Sequence, residues 1–292
     1  ENAKGLRTRD GLAPTEFEIR DVTGAWMPAA ARIDGCDVVL SADGVKEPMG
    51  VRFAAYNGST PNLVNGDGLP AGPFRIGRTC PLGAAERLAK DGGYECVQRY
   101  DIPVCCDLRV NAPKTLASRK GVRRVGYLLE LQDGSGDTKF AFAEMDAFAD
   151  DSDKLVLGAE SGRDPVRTPV AHLQVFSNVP GAVVAPGTAD GFVEFYFCNY
   201  SPKTLPAPAG GDASKYDFND MPHPDAVRGL GYGCLQVHDL KSRKTVLAFN
   251  HFNAASVPCD LGIGSSGKDH PDWTFARNAG AWKARRLSVW VK

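Results

Sequence analysis

The stretch Tyr127-Leu128-Leu129-Glu130-Leu131-Gln132-Asp133-Gly134-Ser135-Gly136-Asp137, with Phe140-Ala141-Phe142-Ala143-Glu144-Met145 close behind it, decides the fold class. Tyr127, Leu129 and Leu131 alternate with Leu128, Glu130 and Gln132, the two-residue period of a strand whose successive side chains point to opposite faces. Asp133 to Asp137 then supplies the Gly, Ser and Asp residues that reverse a chain. The stretch therefore predicts an antiparallel hairpin with a five-residue connection, longer than the tightest two-residue type.

Working outward, short segments bounded by Gly, Pro, Asn or Asp predict further strands at His172 to Phe176, Gly191 to Cys198, Gly233 to His238, Thr245 to Phe249 and Arg286 to Val291. Two sheets packed face to face would bury Val193, Phe195, Phe197, Leu287, Val289 and Val291, and no repeated strand-helix unit competes with that arrangement. Toward the N-terminus Phe17 and Ile19 alternate with Glu16, Glu18 and Arg20. Cys36 to Leu40 follows the Asp34-Gly35 turn, and Val51, Phe53 and Ala55 alternate with Arg52, Ala54 and Tyr56. Asn57 to Pro73 reads as a loop laid over a sheet. Pro81 to Lys90 predicts one or two helical turns with Leu82, Ala85 and Leu88 on one side, ended by Gly92-Gly93. The expectation is an all-β chain with a small antiparallel β-domain over residues 1–78 and a larger β-sandwich, jelly-roll-like, over 79–292. Ser201 to Asp225, rich in Pro, Gly, Ala and Asp, reads as a long loop that shapes a binding surface.

A chain of 292 residues can hold one large domain or two ordinary ones with a sizeable core. Lys+Arg 34 against Asp+Glu 35 leaves a net charge of -1, so no global basic surface for nucleic acid exists and nucleic acid is not an expected partner. Apolar runs such as Phe192 to Phe197 are strand-sized, so no membrane insertion is expected. The sequence opens at Glu1 without a basic and apolar leader, from which any signal peptide is read as removed or never present in this piece. The eight cysteines, 36, 80, 96, 105, 106, 198, 234 and 259, contain no pair with zinc-knuckle or thioredoxin spacing. That pattern points to an oxidising compartment, secreted or periplasmic, with disulfides whose pairing stays open. Cys105 and Cys106 do not suit a mutual bridge, because a disulfide wants alpha carbons about 5.5 Å apart and neighbours sit about 3.8 Å apart.

Chemistry-bearing groups are scattered. No Gly-x-Ser-x-Gly sequence occurs; Ser135 falls in a hairpin turn and Ser265-Ser266 in a Gly-rich loop. His238 and Asp239 are adjacent on a strand and so point to opposite faces; the reading is a strand residue at a polar rim and a turn-former. His251 ends another strand. Asp217, Asn219 and Asp220, and more loosely Asp260, Asp269 and Asp272, are hard oxygen groups from which a calcium (Ca2+) site can be built. Their spacing departs from the EF-hand, and solvated turn carboxylates are the preferred reading. His223, His238 and His251 lack a Cys-rich partner pattern for zinc.

Sugar recognition sets aromatic faces beside planar hydrogen-bonding groups. Trp273, Tyr232 and Tyr216, with Tyr200, Phe218 and Trp282, are the candidate platforms in loop-rich contexts. Asn199, Asp217 and Gln236, with Asn219, are the candidate polar partners. An aromatic anchor that merely fixes its own loop would look the same. Arg119, Lys120, Arg123 and Arg124, and Lys283, Arg285 and Arg286, form two basic runs able to meet phosphate or an acidic sugar, yet no nucleic-acid motif accompanies them. Asn57-Gly58-Ser59 and Asn199-Tyr200-Ser201 satisfy the glycosylation sequon.

Trp26-Met27-Pro28-Ala29, Ala31-Arg32-Ile33-Asp34-Gly35, Val51-Arg52-Phe53 and the run Asn62-Leu63-Val64-Asn65-Gly66-Asp67-Gly68-Leu69-Pro70-Ala71-Gly72-Pro73-Phe74-Arg75 resemble the C-terminal end of bacterial sialate O-acetylesterase-like proteins. The resemblance covers about the first quarter of the chain and implies a small β-domain beside an SGNH-type esterase domain. The family's catalytic serine and Asp-x-x-His block have no counterpart here, so the resemblance implies catalytic groups outside this chain, on an esterase domain in cis or in trans. Arg52 and Asn65 match features of the terminal segment without an assigned catalytic role. The later segments, among them Val175 to Gly181, Gly231 to His238 and Asp272 to Ala276, resemble the long C-terminal extension of some large secreted esterase-like proteins. The expected function is a non-catalytic carbohydrate-binding or positioning region of a secreted carbohydrate esterase; the other readings are part of a sialate O-acetylesterase that hydrolyses O-acetyl esters on glycans with catalytic residues outside this chain, and a purely structural scaffold.

Overall fold

The computed structural model describes residues 5–24, 26–104, 114–157, 166–187, 189–196, 233–242, 244–251, 258–264 and 278–292. The chain divides into two compact units, Glu1–Cys80 and Pro81–Lys292. Strands dominate both, in several antiparallel sheets, and the chain is all-β.

The first unit contains β1 (Arg7–Thr8), β2 (Phe17–Arg20), β3 (Trp26–Pro28), β4 (Ala30–Asp34), β5 (Asp37–Ser41), β6 (Gly50–Phe53), β7 (Leu63–Val64) and β8 (Phe74–Gly77). A four-stranded sheet runs β3-β2-β6-β8, β4 and β5 form a hairpin, and β1 pairs with β7. In the sheet Phe17 stands opposite Phe53, and Phe53 opposite Phe74. Ring centroids lie 4.5 Å apart for the first pair and 5.5 Å for the second. Cross-strand aromatic pairs of this kind fix register as well as burying area. Phe17, Phe53 and Leu63 make the core, with Ile33, Val38 and Leu40 of the hairpin packed against it. The Asn57 to Pro73 passage is not a loop throughout. Leu63 and Val64 form β7 and are buried, because an adjacent apolar pair inside polar sequence gains more by entering the core than by staying with its neighbours. The buried Asn62 holds the entry: its Oδ1 accepts the Thr15 N–H at 3.0 Å, and its amide donates to Asp10 and to the Ala13 carbonyl.

Among its described residues the second unit holds one α-helix, α1 (Glu86–Asp91), and β9 (Glu95–Asp101), β10 (Lys114–Thr115), β11 (Arg124–Gln132), β12 (Thr138–Asp146), β13 (Val166–Val170), β14 (Gln174–Ser177), β15 (Gly191–Tyr196), β16 (Gly233–Asp239), β17 (Lys244–His251), β18 (Asp260–Ile263) and β19 (Ala284–Val291). One sheet runs β10-β9-β19-β11-β12-β14 and the other β13-β15-β16-β17-β18. In the second sheet β15 to β18 are consecutive neighbours, an up-and-down meander. Its edge strand β13 carries Pro169, which cannot donate to a ladder and so belongs at an edge. Tyr127, Leu129 and Leu131 of one sheet and Val193, Leu235, Val237 and Phe249 of the other share a single core. The rings of Tyr100 and Phe249 meet across it edge to face at 5.9 Å. The arrangement is a β-sandwich.

The deciding hairpin forms as read. β11 and β12 pair in register from Arg124 opposite Asp146 to Gln132 opposite Thr138. Asp133 Oδ1 accepts N–H bonds from Ser135 (2.8 Å) and Asp137 (3.1 Å) and the Ser135 hydroxyl at 2.6 Å, while Gly136 takes φ +86°, a left-handed value natural to glycine. The alternation on β11 misleads in one respect: Leu128 and Glu130, on the face away from the sandwich core, are also fully buried. That outer face carries a second apolar layer, where Tyr94 meets Phe142 edge to face at 5.7 Å and Phe142 stacks on Phe176 at 6.4 Å. Helix α1 buries Glu86 and Ala89, with Ala85 at its start, while Leu82 and Leu88 are only half-buried. The Glu86 carboxylate can be buried because Arg99 meets it at 2.6 Å and Lys90 at 3.1 Å.

Of the strand residues expected in the core, Val193, Leu287, Val289 and Val291 are there. The Phe195 side chain, and Phe197 as a whole, lie outside the described residues, as does Ser201 to Asp225. Among the described residues no two cysteines are joined in a disulfide; Cys36 carries an exposed thiol and Cys96 a half-buried one whose pKa burial pushes up. The expectation of disulfides draws no support from these positions.

Candidate functional site

On the four-stranded sheet of the first unit, the positions that alternate with the phenylalanines carry charge. Arg20 stands opposite Trp26 on one side and Gly50 on the other, and Gly50 opposite Gly77. One pleat along, Glu18 stands opposite Arg52 and Arg52 opposite Arg75. Period-two geometry puts all of these side chains on one face.

Their contacts centre on the Trp26 indole. The guanidinium carbons of Arg52, Arg75 and Arg20 lie 4.7, 5.1 and 5.3 Å from its ring centroid, within cation–π range. The glycine at 50 makes this possible: a Cβ there would sit 2.7 Å from Arg20 Nε and 3.2 Å from the Trp26 ring. Arg52 is committed to Glu18, donating from Nε at 2.6 Å and from Nη2 at 2.9 Å. This bidentate pair holds the Glu18 carboxyl below the ordinary carboxylate range and pushes Arg52 up. The Tyr56 hydroxyl donates to Glu18 at 3.2 Å, and Arg52 lies over the Tyr56 ring at 4.8 Å.

Three guanidinium charges thus face one carboxylate. Among the described residues no carboxylate is ion-paired with Arg20 or Arg75, and Arg20 Nε is buried without a hydrogen-bond partner. A shallow cleft of about 580 Å³ opens at this end of the sheet, lined by Arg52, Tyr56, Asn57, Pro73, Phe74 and Arg75. Tyr56 and Arg75 are exposed there. Such an arrangement can offer planar donors and an aromatic ring to a ligand without any covalent step.

Of the residues singled out from sequence, Trp273, Tyr232, Tyr216, Asn199 and Asp217, like Tyr200, Phe218 and Asn219, lie outside the described residues. Gln236 is fully buried on β16, opposite Glu194 of β15 and Ala248 of β17. Trp282 is half-buried against the sandwich core. His238 is not at a rim. It is fully buried, with Nδ1 at 2.9 Å from Thr245 Oγ1 and Nε2 at 3.9 Å from Glu194. Asp239 is the turn-former expected, accepting the N–H groups of Lys241 and Ser242. Ser135 belongs to the Asp133 turn, Ser265-Ser266 lies outside the described residues, and the His251 side chain is likewise not described. Asn65 is a turn residue whose Oδ1 accepts the N–H groups of Asp67 and Leu69.

Five of the seven cationic side chains in the basic runs have partners. Arg119 pairs with Glu95, Lys120 with Asp151 and Arg124 with Asp146, while Arg285 donates to the carbonyls of Ile102, Ala279 and Trp282 and Arg286 to Asp101. Among the described residues no group of three or more His, Cys, Asp or Glu is placed to hold a metal; Asp217, Asn219, Asp220, Asp269, Asp272 and His223 are outside them.

Two constellations escaped the sequence reading. One is the Trp26 face itself, whose only sequence signal is the recurrence of Glu18, Arg20, Arg52 and Arg75 at the polar positions of strands. The other is His172, with a left-handed backbone (φ 53°) and Nδ1 at 2.7 Å from Asp146, which also accepts from Arg124. Burial opposes the ionised form of Asp146, yet those two partners hold its carboxyl below the ordinary range. No family model, curated protein or solved structure matches the chain.

Proposed function

We propose that this chain is a non-catalytic region that binds or positions glycan for a secreted carbohydrate esterase, whose hydrolytic groups reside in an esterase domain supplied in cis or in trans. The observation that supports the reading best is the Trp26 face with its adjoining cleft, where an exposed Tyr56 ring and guanidinium donors stand side by side. Sugars present apolar CH surfaces and closely spaced hydroxyls, so an aromatic ring beside rigid planar donors matches both. The esterase partner follows from the resemblance of segments between Trp26 and Arg75, which include Trp26, Arg52 and Arg75 of this face. Tyr232 and Trp273, with Tyr216, Asn199 and Asp217, are proposed as a further glycan-facing surface in the second unit; Gln236, expected there from the sequence, is fully buried and is not part of it.

Affinity electrophoresis of the full chain through gels containing mucin, plant or algal polysaccharide tests the reading. Retardation by at least one glycan is expected, and Tyr56→Ala should weaken it; the ring is exposed, so its loss should leave the fold intact. Unretarded migration through every glycan abandons the proposal.

A further inference from the structure

We infer that the Trp26 face takes an anionic sugar residue, whose carboxylate or sulfate ester is received by Arg75 and Arg20. The inference rests on the glycan-holding reading and specifies the ligand's chemistry.

Arg52 spends its Nε and one terminal nitrogen on Glu18, so the pair is neutral and fixed. Arg75 and Arg20 remain around the same indole, 5.1 and 5.3 Å from its centroid, and carry two positive charges that no described carboxylate offsets. Like charges gathered on one ring repel, and the quadrupole of an indole returns only part of that cost. An oxyanion beside them would relieve the repulsion and satisfy free donors at once.

The donors are of the right type. A guanidinium offers parallel N–H groups in a plane, matched to the two oxygens of a carboxylate or of a sulfate. Arg75 is exposed on the edge strand β8 and borders the cleft, so a ligand can reach it. Arg20 lies behind, over the glycines at 50 and 77, with its buried Nε lacking any acceptor among the described residues. Its terminal nitrogen lies 3.5 Å from where a Gly77 Cβ would stand, so this end of the guanidinium packs at van der Waals distance over Gly77. The sugar ring then falls on the side of Tyr56, which lines the same cleft.

The test is affinity electrophoresis of the full chain and two variants through dextran, dextran sulfate, polygalacturonate and polyglutamate. Arg75→Gln removes the exposed donor. Arg32→Gln is the control for bulk charge, since Arg32 is exposed on the β4–β5 hairpin and already paired with Asp34 at 2.9 Å. The expected result is retardation by one or both acidic glycans, fading as salt rises toward about 0.5 M, with an affinity loss on the order of tenfold in Arg75→Gln and none in Arg32→Gln. Whether dextran sulfate or polygalacturonate binds more tightly tells the sulfate source from the carboxylate source. Equal retardation by dextran overturns the inference and leaves the glycan-holding reading standing. So does an Arg75→Gln protein that behaves as the parent or as Arg32→Gln, while equal retardation by polyglutamate shows that the sugar plays no part. Absence of retardation by every glycan removes the inference and the broader reading together.

Discussion

On β2, β6 and β8 the charged positions of the strands lie on an open face, where Glu18 and Arg52 keep 17% and 19% of their side-chain surface. On β11 the corresponding alternation buries Glu130 against the segment that leads into α1, where Gly83 meets it, with no exposed surface at all. Both sheets obey the same two-residue period. They differ in what covers the second face, and that difference sets the chemistry of the charges they carry. At the open face a carboxylate is ionised easily and pairs with a guanidinium. At the covered face desolvation pushes the Glu130 carboxyl up to about 7, against the lowering effect of the Gly83 N–H at 2.7 Å and of Arg286 and Arg99 nearby. Alternation therefore locates faces but not their coverage, which is a property of elements distant in sequence.

The covered sheet is the one to break first. Leu129 is fully buried between the two sheets of the sandwich. Leu129→Ala should destabilise the second unit by roughly 2–5 kcal/mol, the range for a buried leucine that leaves a cavity. Guanidinium unfolding followed by amide exchange on β11 and β12 checks this. A loss comparable with that of an exposed substitution would mean that the sandwich core is not shared between the sheets.

Glu130→Gln tests the covered face at a single charge. The folded carboxyl titrates near 7 and the unfolded one near 4.5, so the parent's stability is fully present below about 4.5 and is lost as pH rises through 7. A glutamine keeps the acceptor for the Gly83 N–H and cannot ionise. The variant should match the parent near pH 4 and exceed it at pH 8 by up to about 3 kcal/mol, the free energy of a shift of that size. Parallel stability curves from pH 4 to 8 would show that Glu130 ionises without penalty and that its face is not dry.

How much of this was legible follows from the same distinction. The hairpin of β11 and β12 could be read because its signal is local: alternation, then Asp133 and Gly136 at the positions the turn requires. The burial of Leu63 and Val64 was not, since two apolar residues in a Gly- and Pro-rich passage carry no period, and β7 takes its strand partner β1 from more than 50 residues away. The helix α1 was placed correctly, but its buried face was not, because the burial of Glu86 depends on Arg99, 13 residues away on β9. The candidate site is the extreme case. Trp26, Arg20, Arg52 and Arg75 come from four different strands, and their meeting is a matter of register, which no single segment announces.

Glu18→Gln sharpens the comparison from the open side, with a smaller effect and the opposite dependence on pH. The Arg52 pair depresses the folded carboxyl of Glu18 below its ordinary value. Its contribution is therefore present above the ordinary carboxyl range and is lost as pH falls through the depressed value. Because the pair remains partly hydrated, the stabilisation removed at pH 7 should stay below about 1 kcal/mol, and high salt should shrink it further. Glu18→Gln should thus be slightly less stable than the parent at neutral pH and converge with it in acid, whereas Glu130→Gln converges with the parent in acid but is the more stable protein at pH 8. Melting curves of both variants from pH 3 to 8 provide the measurement. Two differences of the same sign at pH 8 would show that coverage of the second sheet face does not govern how these two strand carboxylates behave.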